Sequence, residues 1–190
     1  NMKMKIYIIG IGLIGGSFAM EMRKLFPRST IIGIDKSENN LNKAHELSII
    51  DKKSCLSEIS NADIILVSVP VKSIINLLPN ILDKVNKNTL VIDFGSTKNS
   101  ICNVIKDHPN RENFLATHPI AGTEFSGPTA AHKGLFVNKN IIICDKHRTN
   151  QSRLKIALKI FKSMKMKISY MNPDAHDKHI ACLLYTSDAA

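Results

Sequence analysis

The stretch MKIYIIGIGLIGGSFAMEMRKL, residues 4–25, decides the fold. Its apolar, mostly β-branched run 6–9 leads directly into Gly10, Gly12 and Gly15, and apolar residues then recur every three or four positions. This order predicts a buried strand, a tight turn and a helix. The spacing Gly-x-Gly-x-x-Gly at such a turn is typical of dinucleotide-binding domains, so the sequence favours a cofactor site here.

Each glycine of this motif has a separate role in binding a dinucleotide. Gly10 makes the turn, Gly12 lets the backbone approach the pyrophosphate, and Gly15 lets helix and strand pack closely. The amides that open the helix, at Leu13 and Ile14, face the anion, whose negative charge is favoured by the helix dipole. We therefore assign these five residues to cofactor binding.

An acidic residue further along decides between the two common dinucleotides. Asp35 ends a second predicted strand, Thr30–Ile34, and lies 20 residues after Gly15. A carboxylate at this point accepts hydrogen bonds from the ribose hydroxyls and repels a 2′-phosphate. The sequence therefore predicts NAD rather than NADP as the cofactor.

Two other interpretations of the opening stretch compete with a cofactor site. The first is a secretory leader, because Lys3 and Lys5 precede the mostly apolar run 6–20. The lack of a small-residue cleavage site disfavours it, as do Glu21 and Arg23, which continue the helix. The second is a glycine turn in an α/β domain that binds nothing, which leaves the second strand and its acid unexplained.

Composition argues against several classes of partner. The chain has 190 residues, of which 44% are hydrophobic, enough to bury a core. Its 26 basic and 16 acidic residues give a net charge of +10, but the lysines are scattered without interleaved aromatics, so we expect no nucleic-acid partner. No apolar run reaches the roughly 18 residues of a membrane span, so we expect no membrane partner and a cytoplasmic protein.

The four cysteines lie at least 38 residues apart, at Cys55, Cys102, Cys144 and Cys182. This spacing predicts free thiols in a reducing compartment. It contains no Cys-x-x-Cys pair and no cluster of ligands, so we expect no metal site.

The rest of the chain alternates predicted strands and helices, which indicates an α/β fold with a doubly wound, mostly parallel Rossmann-type sheet. The almost continuous apolar run 62–70 suits a strand covered on both faces. Its last residues, Val69 and Pro70, either line the cofactor cleft or only terminate the strand. Pro79 lies inside the next predicted helix, Val71–Val85, and is expected to kink or divide it.

Two polar segments follow later strands and contain candidates for catalysis. After the predicted strand Leu90–Phe94, Ser96 or Thr97 caps a helix, and one of these hydroxyls also faces the ligand edge of the sheet. After the predicted strand Phe114–Thr117 comes His118, which is held by a following proline. Imidazole is the usual general base near neutral pH, so we expect His118 to be catalytic and to share a cleft edge with Ser96 and the glycine turn.

Three further elements are predicted: the strands Asn140–Cys144 and Lys167–Met171 and the helix Asn150–Met164. Asn172 then caps a new helix with Pro173 in its first turn. We assign residues 1–171 to a dinucleotide-binding domain. Residues 172–190 are the start of a helical domain and are too few to form one alone.

Five motifs together resemble the prephenate dehydrogenase family, which includes arogenate dehydrogenases. They are GIGLIGGS at 10–17, Asp35, DFGSTK at 93–98, HPIAGTEFSG at 118–127 and NPDAHD at 172–177. The resemblance covers nearly the whole chain to about Ala181, and the run 118–127 is its most specific part. It implies a Rossmann domain followed by a helical domain, with NAD or NADP as cofactor, and Asp35 favours NAD.

The resemblance also implies a reaction of tyrosine biosynthesis and the residues that perform it. The reaction is the NAD-dependent oxidative decarboxylation of prephenate to 4-hydroxyphenylpyruvate, or of arogenate to tyrosine, and the sequence does not decide between these substrates. His118 is implied to polarise or deprotonate the substrate hydroxyl, and Ser96 to bond both that hydroxyl and the nicotinamide. Thr123 and Glu124 are implied to border the substrate pocket, with Glu124 as a gate.

Residues 182–190 depart from the family's pattern. Family members continue into a helical domain that forms a homodimer and supplies further substrate contacts, whereas this stretch looks like a truncation or a read-through of unrelated sequence. We expect a fragment that binds NAD and turns over poorly. Two other functions stay open: another Rossmann dehydrogenase, of the β-hydroxyacid or imine reductase type, and a non-catalytic nucleotide-sensing module, which would leave Ser96 and His118 without a role.

Overall fold

The computed structural model describes residues 3–188, which fold around one eight-stranded sheet. The strands are β1 (Lys5–Ile9), β2 (Thr30–Ile34), β3 (Lys52–Lys53), β4 (Ile64–Val67), β5 (Leu90–Asp93), β6 (Phe114–Pro119), β7 (Asn140–Cys144) and β8 (Lys167–Met171). The helices are α1 (Leu13–Leu25), α2 (Glu38–Glu46), α3 (Val71–Lys84), α4 (Asn99–Val104), α5 (Gln151–Ser163) and α6 (Pro173–Asp188). The first two and last two residues of the predicted domains, 1–2 and 189–190, lie outside the described residues.

The sheet has the order β3-β2-β1-β4-β5-β6-β7-β8. Strands β1 to β6 are parallel to one another, whereas β7 is antiparallel to β6, and β8 is parallel to β7. The chain thus winds outward from β1 in one direction and from β4 in the other, so the order reverses between them. This confirms the predicted doubly wound, mostly parallel α/β sheet and places a ligand crevice at the carboxyl ends of β1 and β4.

Side chains of the inner strands alternate between two cores, one on each face of the sheet. Ile6 and Ile8 of β1 pack in the same core as Phe18 of α1. Ile9 packs in the other core with Ile74 of α3. All five side chains are at most 2% exposed. Burial on both faces is the physical reason for the nearly continuous apolar runs in the sequence.

Helix α3 is continuous across Pro79, so the proline does not divide this helix, and a kink at this position stays a prediction. The proline removes one backbone hydrogen bond from the helix. The core side chains Ile74 and Leu78 precede it, and Ile81 and Leu82 follow it, all buried in one core. Packing of both halves against the same sheet face holds them in one helix despite the missing bond.

The cap of α4 also differs from the prediction. The helix starts at Asn99, and neither Ser96 nor Thr97 caps it. The carboxylate of Asp177 in α6 instead accepts the amides of Lys98, at 2.7 Å, and Asn99, at 3.0 Å. A carboxylate from a distant part of the chain thus accepts the free amides at the start of this helix. Ser96 and Thr97 do not cap it, and both are exposed.

All four cysteines are free thiols, as predicted. Two of them, Cys102 and Cys144, are buried in the core on the α3 face of the sheet. Burial raises the pKa of each of these two thiols to about 12, which keeps them protonated.

The longest described helix, α6, has 16 residues. Within residues 3–188, no helix combines the length and the apolar character needed to cross a membrane.

Candidate active site

The turn between β1 and α1 gives its three glycines different roles. Gly10 has a φ of +92°, and a Cβ there would lie 2.3 Å from the carbonyl oxygen of Ser68. A Cβ on Gly15 would lie 2.1 Å from the carbonyl oxygen of Gly10, so the fold excludes a side chain at both positions. A Cβ on Gly12 would meet no described atom within 4 Å. Gly12 therefore leaves open space beside the backbone.

The backbone amides at the start of α1 lack protein acceptors. Helices α2 and α5 begin with side-chain caps from Ser37 and Asn150, but α1 has no side-chain cap. Among residues 3–188, no protein group accepts the amides of Gly12, Leu13 and Ile14. Unpaired donors at the positive end of a helix favour an anionic ligand.

Asp35 follows β2 and also supports the glycine turn. Its Oδ2 accepts the amide of Ile11 at 2.8 Å, and its Oδ1 accepts the amide of Ser37 at 2.8 Å. Each carboxylate oxygen has a further lone pair, so Asp35 can accept a ribose hydroxyl at the same time. Sequence reasoning predicted the ribose contact and missed the contact with Ile11, which exists because β2 lies beside β1.

A cleft of about 590 Å³ opens at the carboxyl ends of β1, β2 and β4. Five of the predicted cofactor residues line it: Gly10, Gly12, Asp35, Val69 and Pro70. Its volume lies within the range of small-molecule sites, about 300–1,000 Å³. The other three predicted cofactor residues, Leu13, Ile14 and Gly15, do not line this cleft. Leu13 and Ile14 directly follow Gly12, which does, and Gly15 packs against the turn.

His118 lines a second cavity of about 400 Å³, which is also lined by residues 119–122, by Lys139 and by Ile180, Leu183 and Leu184 of α6. The loop that follows β6 takes part in both cavities, because Gly122 lines the second and Gly127 lines the cofactor cleft. Ser96, Thr123 and Glu124 are exposed and line neither of these two cavities in the described structure. The structure therefore does not bring all predicted substrate residues into one cavity.

His118 nevertheless shares an edge and a face of the sheet with the glycine turn. It lies near the carboxyl end of β6, which runs parallel to β5 and therefore to β1. Ala116 belongs to the same core as Ile9, and alternation along the strand places His118 on that face. Three strand spacings separate β1 from β6, roughly 14 Å. His118 is thus not packed among aliphatic residues on the far side of the sheet.

Two residues that sequence reasoning missed contact His118 or its partner. Nδ1 of His118 lies 2.9 Å from Nε2 of His176, and Nδ1 of His176 lies 2.7 Å from the Asp177 carboxylate. His176 is fully buried, whereas His118 is half-buried. Burial lowers the pKa of His118 to about 4, and the nearby charge of Lys98 and the His176 ring add to this effect. The adjacent His-Asp pair in the segment 172–177 was the available sequence signal.

A buried ion pair joins the loop after β5 to Asp93, the last residue of β5. The ammonium of Lys98 bonds the carboxylate of Asp93, and both side chains are fully buried. Asp93 also accepts the amides of Gly95, at 2.9 Å, and Thr117, at 3.2 Å. Burial raises the pKa of Asp93, and these hydrogen bonds oppose that rise. Through Asp93, the loop that contains Ser96 is therefore tied to β6, the strand that contains His118.

Comparison with known proteins identifies the family. The family model "Prephenate dehydrogenase, nucleotide-binding domain" matches residues 18–170. The chain belongs to the prephenate dehydrogenase family. It is 31% identical to the prephenate dehydrogenase of Bacillus subtilis (strain 168) over 181 residues. The match covers 93% of this chain and 49% of that relative. The chain spans about half the length of the curated prephenate dehydrogenases it matches.

Solved structures of prephenate dehydrogenase family members share this fold. The match with Synechocystis arogenate dehydrogenase has a TM-score of 0.81 at 28% identity. It covers 94% of this chain and 63% of that protein. Prephenate dehydrogenase from Aquifex aeolicus, in complex with hydroxyphenyl propionate and NAD⁺, has a TM-score of 0.78 at 27% identity, with coverages of 93% and 62%. The resemblance inferred from the motifs is therefore confirmed.

Proposed function

We propose that this chain is the nucleotide-binding and proton-transferring part of an NAD-dependent enzyme that oxidatively decarboxylates prephenate or arogenate in tyrosine biosynthesis. Residues 1–171 are proposed as its dinucleotide-binding domain and residues 172–190 as the start of a helical domain. The observation that carries the proposal is the placement of His118. It lies half-buried beside a cavity, at the edge and face of the sheet that the cofactor cleft occupies.

The cofactor cleft fits NAD in space and in charge. Gly12 leaves room beside the backbone, and the amides of Leu13 and Ile14 are free to bind a pyrophosphate. Asp35 retains acceptor capacity for the ribose and would repel a 2′-phosphate. The Aquifex aeolicus family member contains NAD⁺. When bound here, NAD accepts the hydride that the substrate loses.

His118 would act as the general base. With a pKa of about 4 its imidazole is neutral at pH 7, and a substrate carboxylate nearby would raise that pKa toward neutrality. The imidazole takes the proton of the ring hydroxyl while the carbon bearing it loses a hydride. The ring carboxylate then leaves as carbon dioxide, its bonding electrons complete the aromatic ring, and the phenolate oxygen takes the proton back from His118.

The remaining substrate residues are proposed from their places in the loops. Ser96 follows β5 and is exposed at the carboxyl edge, where its hydroxyl can reach a bound substrate. Thr123 and Glu124 are exposed in the loop between the two cavities, and we propose that they border the substrate, with Glu124 as a gate. Movement of this loop would be needed, because neither residue lines a cavity.

Cofactor binding and hydride transfer test the proposal separately. Calorimetry with NAD and NADP should give tighter binding of NAD. NADH absorbance should rise with prephenate or with arogenate and not with a β-hydroxyacid. His118→Asn is the matched control, because it should retain NAD binding and lose turnover.

Other outcomes would support the competing functions. NADH formation with the β-hydroxyacid alone would support another Rossmann dehydrogenase. NAD binding without turnover with any of these substrates, both in this chain and in a longer one that includes the helical domain, would support a nucleotide-sensing module.

We also propose that the longer protein is a cytoplasmic homodimer, joined through its helical domain, without a nucleic-acid or membrane partner. The family resemblance supports the dimer, and the scattered lysines and free cysteines support the rest. Light scattering on a chain that includes the helical domain should give twice the monomer mass. A monomeric mass would contradict the proposal.

A further inference from the structure

His118, His176 and Asp177 form a continuous hydrogen-bonded chain. His118 lies at the end of β6, and the other two lie in the first turns of α6, which follows the edge strand β8. The His118 Nδ1 to His176 Nε2 distance is 2.9 Å, and the His176 Nδ1 to Asp177 Oδ1 distance is 2.7 Å. The two imidazole rings meet edge to face, with centroids 5.1 Å apart and an interplanar angle of 78°. This geometry holds the plane of the His118 ring.

The Asp177 carboxylate sets the direction of every hydrogen bond in the chain. It accepts the amides of Lys98 and Asn99 at the start of α4. Partial burial acts to raise its pKa, but the hydrogen bonds from Asn99, His176 and Lys98 outweigh this, so the pKa is lowered and the carboxylate is ionised at neutral pH. An ionised carboxylate only accepts hydrogen bonds, so Nδ1 of His176 must donate to it.

The remaining protons follow from that donor. A neutral His176 with hydrogen on Nδ1 has its lone pair on Nε2, which can only accept. Nδ1 of His118 must then carry hydrogen and donate it to His176. The lone pair of the neutral His118 ring is consequently on Nε2, the nitrogen that does not face His176.

We propose that His176 is a positioning residue: it holds His118 in the tautomer with hydrogen on Nδ1 and thereby leaves Nε2 as the base, an inference that rests on the proposed function of His118. A neutral imidazole with hydrogen on Nε2 could not accept the substrate proton there. The Nδ1–H bond to His176 also stabilises the imidazolium that forms when Nε2 takes a proton. His176 touches no reacting atom in this mechanism.

Asp177 extends this control to the loop that contains Ser96. The two amides that it accepts belong to Lys98 and Asn99, the second and third residues after Ser96 in the sequence. The same carboxylate therefore orients His176 and anchors the start of α4. Both proposed catalytic groups, the Ser96 hydroxyl and the His118 imidazole, depend on this one acceptor in α6.

Histidine tautomers can be measured directly, without substrate or cofactor. Long-range ¹H–¹⁵N correlation spectra of the ¹⁵N-histidine-labelled chain at pH 7.5 should show hydrogen on Nδ1 of His118. His118→Asn assigns its signals among the seven histidines. In His176→Leu the acceptor is lost, and we expect the Nε2–H form of His118 to become populated. In His176→Gln the amide oxygen can accept from Nδ1, so the original tautomer should return.

His179→Leu is the matched control, because His179 is an exposed histidine of the same helix. It should leave the His118 signals unchanged. Hydrogen on Nε2 of His118 in the unsubstituted chain would overturn the inference, as would an unchanged tautomer in His176→Leu. If His176→Leu fails to fold, the tautomer of His118 in the unsubstituted chain and in His176→Gln still tests the inference.

Kinetics keep this inference separate from the proposed function. Where turnover is measurable, His176→Leu should lower kcat by about 10- to 10⁴-fold, up to the whole contribution of a general base, with KM nearly unchanged. His176→Gln should restore most of kcat, which a merely structural defect would not explain. A correct tautomer without turnover of prephenate or arogenate, in this chain or a longer one, would contradict the proposed function and leave the hydrogen-bond assignment standing.

Discussion

Replacement of Gly12 by alanine should strongly weaken NAD binding without unfolding the protein. Gly12 precedes α1 with a φ of −108°, a conformation that any residue adopts. A Cβ built there meets no described atom within 4 Å, although Gly12 lines the cofactor cleft. The added methyl group would therefore occupy the space proposed for the pyrophosphate and nothing else.

The expected magnitudes follow from this geometry. At an unstrained position, Gly→Ala stabilises a protein by about 0.4–1 kcal/mol, because the unfolded chain loses entropy. Each hydrogen bond from an amide to a charged phosphate contributes about 1.5–3 kcal/mol. If the methyl group displaces the pyrophosphate from two amides, binding weakens by about 3–6 kcal/mol, which raises the Kd for NAD roughly 10²- to 10⁴-fold.

Urea denaturation and calorimetry with NAD measure the two quantities on the same protein. Gly15→Ala is the matched control, since its Cβ would lie 2.1 Å from the Gly10 carbonyl oxygen. That clash with backbone should destabilise the fold by about 1–3 kcal/mol or more. A Gly12→Ala protein that binds NAD as tightly as the unsubstituted chain would refute the proposed cofactor site. A loss of several kcal/mol in its stability would refute the open space at Gly12.

Three further changes have outcomes that the structure predicts. His118→Asn should lower turnover by about 10²- to 10⁴-fold and leave the Kd for NAD unchanged, as measured by NADH absorbance and calorimetry; an unchanged rate would remove His118 from the mechanism. Lys98→Met should destabilise the protein by about 3–5 kcal/mol in urea, because the buried Asp93 carboxyl loses its cation, and Asp93→Asn in the same chain should recover part of that loss. In the unfolded chain, His118 takes up a proton below its ordinary pKa of 6.5, whereas in the folded protein it stays neutral down to about pH 4. Stability should therefore fall as the pH drops from 6.5 to 4, and His118→Asn should show a smaller fall between urea transitions at pH 7.5 and pH 5.

Several elements were predictable because their partners lie close together in sequence. Ser37 accepts the amide of Asn40, and Asn172 accepts the amide of Ala175, each only three residues away. The strand bounds of β2, β7 and β8 match the predicted ranges, since apolar runs and turn residues mark them locally. Pro79 shows the limit of such local rules, because it does not divide a helix that packs against the sheet on both sides of it.

The contacts around the proposed catalytic residues come from groups that are distant in sequence. Nothing near His118 indicates that its Nδ1 bonds a residue 58 positions later. Likewise, the cap of α4 is a carboxylate 79 positions after Lys98 and not a neighbouring hydroxyl. The sequence indicated Ser96 and His118 as candidate catalytic residues, but it did not predict where they lie relative to the two cavities.

By itself, the sequence determined the α/β class, the glycine turn and the acid after β2, because each depends on periodicity and spacing within short segments. Only the tertiary structure decided the antiparallel direction of β7, the support of the turn by Asp35 and the pairing of His118 with His176. These contacts depend on which strands become neighbours in the sheet. That choice is made by burial of apolar surface over the whole domain, and no local pattern of residues records it.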